Sequence, residues 1–148
     1  MARSRRSPRA RLPDGSDAER TRYASGTPWE PKVGYSRAIR VGSHIFVSGT
    51  TATASDGTLV GLGDAYAQAV QALDNIERAL AALGSERADI VRVRVYVTDL
   101  GDFEAIARAL SERFGEVRPA NTMVQVAALI DPAMKVEIDA DAEVPPGR

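Results

Sequence analysis

Apolar and polar residues along this 148-residue chain keep two periods, and each period predicts its own kind of element. A period of two, which sends alternate side chains to opposite faces of a strand, runs through Tyr35–Val41 and again through His44–Ser48. Gly42-Ser43 makes a tight turn between them, so the two predict a hairpin. The strictest alternation is Ile90–Thr98, with Val91, Val93, Val95 and Val97 on one face and Arg92, Arg94, Tyr96 and Thr98 on the other. It returns in the closing stretch Arg118–Val144 as two strands around an Ile-Asp-Pro turn. There Thr122, Val124 and Val126 alternate with Asn121, Met123 and Gln125. After the turn, Met134, Val136, Ile138, Ala140 and Ala142 alternate with Lys135, Glu137, Asp139, Asp141 and Glu143.

Three- and four-residue steps predict two helices. Asp64–Leu83 carries a stripe of Tyr66, Ala69, Leu73, Ile76, Leu80 and Leu83, with Asp64 placed to cap its start and Gly84 its end. Asp102–Phe114 carries Phe103, Ile106, Leu110 and Phe114, followed by Gly115. The order is β-β-α-β-α-β-β. Two helices cover one face of such a sheet. The other is expected to hold Arg92, Arg94, Tyr96 and, by pattern, Asn121, Gln125, Glu137 and Asp139. Arginines and acids spread across a sheet suit burial against copies of the same chain, with charges paired between subunits; a homo-oligomer is expected.

Composition narrows the classes. Net charge is −1, which gives no reason to expect nucleic acid or an anionic membrane as partner. No cysteine is present, which excludes disulfides, a thiol nucleophile and thiolate metal sites. No apolar run reaches the roughly 20 residues of a membrane span, and the basic N-terminus lacks the apolar core of a secretory signal, so a cytoplasmic protein is expected. Residues 1–22 have five arginines before Leu12 and almost no apolar periodicity. They are expected to be a flexible basic tail, ahead of one α+β domain over 23–148. Ser25–Pro31 is a turn-rich connector. Its Trp29 suits a plug at a core edge or interface, with ligand stacking as the other use.

Candidate chemistry is sparse. His44 sits at a strand start and is read as an edge residue. Ser48 has no His/Asp partner set. Asp139, Asp141 and Glu143 alternate without a histidine, which favours a salt-bridged row over a metal site; no metal is expected.

Four segments resemble one family in order and spacing. GYSRAIRVGSHIFVSGT resembles the hairpin of the RidA (YjgF-like) reactive-intermediate deaminases, and QALDNIERALAALG their first helix. VRVRVYVTDLGDFEAI resembles their third strand and second helix, and RPANTMVQVAAL with KVEIDADA their closing signature. The resemblance spans about Val33 to Ala142. It implies a chorismate-mutase-like α+β fold: a single mixed sheet backed by two helices on one face, with three copies closing into a barrel and a cleft between each pair. It implies hydrolysis of enamines or imines, such as 2-aminoacrylate, to carbonyl compounds and ammonia, with no cofactor. Residue by residue, it makes Tyr35 a cleft residue, Gly49 a backbone surface facing substrate, and Glu137 the group that places the attacking water.

The chain departs from the family's pattern at four positions. Asn121 stands where active members have the arginine that clamps the substrate carboxylate. Met123 stands where many have cysteine, Ala107 where many have asparagine, and Thr50 where glutamine is usual. An arginine–carboxylate pair contributes about 1.5–3 kcal/mol, so a 2-amino-acid-derived enamine should bind roughly one to two powers of ten less well. Arg92 or Arg94, on the polar face, is a candidate to supply the missing cation. Three functions follow: a trimeric enamine/imine deaminase with altered substrate, a non-catalytic trimer binding a small metabolite, and, least favoured, an endoribonuclease-like protein acting on nucleic acid.

Overall fold

A computed structural model describes residues 19–148. The chain forms β1 (Arg20–Tyr23), α1 (Trp29–Val33), β2 (Ala38–Val41), β3 (His44–Thr50), α2 (Ala65–Ala82), β4 (Ile90–Val97), α3 (Phe103–Phe114), β5 (Ala120–Gln125) and β6 (Val136–Glu143). The strands make one sheet in the order β1-β2-β3-β6-β4-β5. Every pairing is antiparallel except β4 with β5. That parallel pair is joined by α3, the kind of crossover a parallel connection needs.

The core lies between the sheet and α2 and α3. Ala69, Leu73, Ile76 and Leu80 of α2 and Ile106 and Phe114 of α3 are buried against Ile45, Val47, Val93, Val95, Val97, Val136, Ile138 and Ala140. The Asp64 carboxylate accepts from the Ala67 N–H at 3.0 Å and caps α2; Gly84, at φ 76°, turns the chain away after it. Arg113 of α3 donates to Asp74 and Glu77 of α2 at 2.8 Å each, and Arg87 also bonds Glu77. Burial alone would raise the Glu77 pKa, but these two guanidiniums hold it below the usual range.

The structure corrects four expectations. The sequence pattern predicts a tail over residues 1–22. Residues 1–18 of it lie outside the described residues, while Arg20–Arg22 belong to β1, paired with β2 through Arg20↔Val41 to Arg22↔Ile39. An edge strand needs only backbone partners, and its charged side chains stay in solvent. Residues 29–33, read as connector, form the short α1, ended by Gly34 at φ 84°. Val91 is exposed, not in the valine face, because the β4–β6 ladder shifts register between Ile90 and Arg92 and the bulge turns one residue outward.

The largest correction concerns the closing strands. They are not neighbours: β4 lies between β6 and β5. In the parallel ladder Val93 faces Asn121, Val95 faces Met123 and Val97 faces Gln125. Asn121, Met123 and Gln125 therefore lie on the helix side, and Val124, beside Tyr96, is 43% exposed on the open side. The expected faces of this strand are reversed. On a six-residue edge strand with one large apolar group per face, the ladder to β4 decides the facing, not hydrophobicity.

Leu73→Ala removes a fully buried side chain from the α2 stripe. It is expected to cost about 2–5 kcal/mol, read as a lower urea midpoint with an unchanged m-value.

Candidate functional site

A cavity of about 720 Å³ opens at the end of the sheet where β2 starts, β3 stops and β6 begins. Its lining includes Tyr23, Thr27 and Trp29, the loop residues Thr51 and Thr53 with Asn75 and Arg78 of α2, and Tyr35, Arg37, Gly49 and Glu137. The volume is within the roughly 300–1,000 Å³ that holds small organic ligands.

Glu137 reaches this cavity from the second position of β6, on the open face of the sheet opposite Tyr96. It is half-buried, and among the described residues no donor hydrogen-bonds its carboxylate. Burial therefore raises its pKa above the ordinary 4.5; nearby Asp139 adds to the rise and Arg37 opposes it. Gly49 packs directly against it. A Cβ at position 49 would overlap Glu137 Oε1 and lie 3.0 Å from the carboxyl carbon. Only a residue without a side chain leaves the carboxylate where it is.

Arg37 organises the surroundings. Its Nη1 donates to the Gly49 carbonyl at 2.5 Å and to Thr50 Oγ1 at 3.1 Å, and its Nη2 to Tyr35 Oη at 2.7 Å. Its Nε lies 3.6 Å from Glu30 Oε1. Glu30 also accepts from the Ser25 N–H and hydroxyl. Burial would raise the Glu30 pKa; the Ser25 hydrogen bonds and Arg37 outweigh it and hold it low. Because the Tyr35 oxygen accepts from Arg37, its own O–H is free to donate into the cavity. Opposite, Asn75 Nδ2 donates to the carbonyls of Thr51 and Thr53 at 3.1 and 2.8 Å, holding the wall loop onto α2. The buried Thr27 hydroxyl lacks a hydrogen-bond partner among the described residues.

The sequence-derived candidates divide. Tyr35, Gly49 and Glu137 line the cavity; Asn121, Met123, Arg92 and Arg94 do not. Asn121 is exposed on β5, at the opposite edge of the sheet from β1, and Met123 packs on the chain's own core. Arg94 is bound to Asp139 at 2.7 Å and Asp141 at 3.0 Å, and Tyr96 donates to Asp139 at 2.9 Å. Arg92 is exposed farther along the same open face, opposite Asp141. Neither Arg92 nor Arg94, the expected suppliers of a cation, lines the cavity of the single chain; the guanidiniums that do so among the described residues are Arg37 and Arg78. Arg37 was legible in principle, since it lies two residues beyond Tyr35 and the strand period puts both on one face. Arg78 was not, because it stands on the exposed face of a helix.

The fold and site define an α+β protein with one sheet face covered by helices, one left open, and, in a cavity at the sheet's end, a half-buried carboxylate that no described residue pairs. Comparison with known proteins gives the family. The model of the family described as Endoribonuclease L-PSP matches residues 25–144, and the chain belongs to this family, the YjgF/RidA family. A crystal structure of a Mycobacterium tuberculosis member of the YjgF/YER057c/UK114 family superposes with TM-score 0.77 at 44% identity, covering 85% of this chain and 100% of that one. An uncharacterized Streptomyces coelicolor protein is 37% identical over 82% of this chain and 90% of its own length. The 3-aminoacrylate deaminase RutC of Acinetobacter baylyi is 33% identical over 80% of this chain and 93% of its own length.

Two outcomes test the geometry around Glu137. Its folded pKa is raised, so the native state holds this proton more tightly than the unfolded chain does. The carboxylate then costs stability above about 4.5, increasingly as pH rises toward the folded value. Glu137→Gln should melt higher than the parent protein at about pH 7.5, with the gap closing as pH approaches about 4.5, read by thermal unfolding across pH. Gly49→Ala should push the Glu137 side chain aside at a cost of about 0.5–1.5 kcal/mol and be near neutral in a Glu137→Ala background. The coupling in that double-mutant cycle, measured by urea unfolding, isolates the contact.

Proposed function

We propose that this protein hydrolyses a reactive enamine or imine to a carbonyl compound and ammonia, in clefts formed between three copies of the chain. The observation that carries the reading is Glu137: an acid in a cavity, without a protein partner among the described residues and with its pKa raised by burial. A group of raised pKa is suited to take and return a proton near neutral pH. From the protonated imine, the carboxylate removes one proton from a water as that water's oxygen bonds the carbon and the carbon–nitrogen π pair moves to nitrogen, giving a neutral carbinolamine. The resulting carboxyl returns that proton to nitrogen; the regenerated carboxylate then takes the hydroxyl proton as the carbonyl forms and the carbon–nitrogen bond breaks, and ammonia leaves carrying that proton as ammonium. Tyr35, held by Arg37, donates to the oxygen on the reacting carbon. The deaminase name of the RutC relative supports this reaction class.

The assembly is part of the proposal. The open face holds the Arg94–Asp139–Asp141–Tyr96 network and the exposed Phe46 and Val124, a mixture suited to burial against another copy. Asn121 would then enter a cleft only from the β5 edge of a second copy. It brings no charge, so small carboxylated enamines are poor substrates. The endoribonuclease wording is a family-level name.

The test couples enzymatic generation of 2-aminoacrylate, and separately of larger imines, to disappearance of the enamine or imine signal. Acceleration over background is expected, greater for larger imines, with a loss of about 10²–10⁴-fold in Glu137→Gln. Sedimentation is expected to give the mass of three chains. Trimers that bind carbonyl compounds but accelerate nothing would establish the non-catalytic reading instead.

A further inference from the structure

Among the described residues two guanidiniums line the cavity, and their donors separate their roles. A guanidinium carries five N–H groups. Those of Arg37 are turned to Glu30, Gly49, Thr50 and Tyr35, and its side chain is 12% exposed. It is a structural clamp with little left for a ligand. Arg78 is the opposite case. Its Nη1 donates to Asn75 Oδ1 at 3.1 Å, and no other acceptor among the described residues engages it. Asn75 is itself fixed, donating to Thr51 and Thr53 and accepting from Gln71 at 3.0 Å. Arg78 is thus a cation held at one nitrogen, on the solvent-facing side of α2, with its remaining donors open to the cavity it lines.

We propose that Arg78 is the anion-binding residue of this cavity, and that its ligand carries a carboxylate set apart from the reacting carbon by an apolar or aromatic body. The inference rests on the hydrolytic reading for which atom reacts, but not for the binding of the anion. Its logic is electrostatic and steric. A carboxylate adjacent to the reacting carbon would lie beside unpaired Glu137 and be repelled, with Arg37 already committed and no arginine at position 121. Arg78 is held on Asn75, which binds Thr51, two residues beyond the Gly49 that packs on Glu137, so a carboxylate on Arg78 is set apart from the acid, and a forked guanidinium binds it bidentately. The same cavity is lined by Tyr23, Trp29 and Tyr35, surfaces suited to a flat ring. Three-carbon acids fill little of this space; an aryl ketimine with a distal carboxylate spans it.

The test uses 4-acetylbenzoate, the carbonyl product of such a ketimine, and its neutral counterpart 4-acetylbenzamide, titrated into the full-length protein by calorimetry. The parent protein should bind the acid at least about tenfold more tightly than the amide, and added salt should shrink the preference. Arg78→Gln should lose the preference while binding the amide as before, and Arg78→Lys should keep part of it. Equal affinity of the parent protein for both compounds, failure to bind the acid, or an undiminished preference in Arg78→Gln would each overturn the assignment. The hydrolytic reading is judged separately on the corresponding ketimine. Hydrolysis that needs Glu137 without an Arg78-dependent preference sinks this inference alone. The preference without Glu137-dependent hydrolysis upholds it and sinks the reaction.

Discussion

One guanidinium holds the site together. Arg37 joins three segments: α1 through Glu30, the residues leading into β2 through Tyr35, and the end of β3 through Gly49 and Thr50. Glu30 and Thr50 are also bonded to Ser25 and Ser48, and Arg37 ties them into one network with the Gly49 carbonyl and the Tyr35 hydroxyl. The same contacts bring Gly49 against Glu137 and turn the Tyr35 hydroxyl outward. Fixing one cation thus sets the positions of the acid and of the phenol beside it.

What Arg37 does not do is neutralise Glu137. Its Coulombic pull on that carboxylate is smaller than the effect of burial, and Asp139 pushes the other way. Every comparable acid nearby is satisfied: Asp139 and Asp141 by Arg94, Glu30 by Ser25 and Arg37. Unmatched burial of one carboxylate amid paired ones costs stability, and the proposed reaction gives that cost a use.

Most of the fold was legible in the residues because both helices and the central strands have long, regular apolar patterns. Where the pattern was short, other physics decided. β5 has one apolar side chain on each face, so its ladder with β4 set its facing and moved Asn121 and Met123 to the helix side. β1 is rich in arginine and threonine and is made by backbone pairing alone. Of the site, Glu137, Gly49 and Tyr35 followed from family resemblance. The cation did not: the alternation in β4 drew attention to Arg92 and Arg94, whereas Arg94 is consumed by acids on the neighbouring strand. A pattern gives a side chain's face but not its partners, and for a charged group the partners decide its use.

The position of Asn121 links the site to the assembly. Within one chain it lies at the β5 edge, while Glu137 and its cavity lie among β2, β3 and β6. No adjustment of a loop brings the two together, because β4 stands between β5 and β6 and its valines are locked in the core. A residue at 121 therefore bears on the cavity only across a boundary between chains. Under the proposed assembly, losing a cation there changes what a neighbour offers to the ligand. The chain's own Arg78 needs no neighbour to face the cavity. Moving the charge from the shared edge to α2 leaves Glu137 and Gly49 undisturbed while changing where along a ligand the negative group must be.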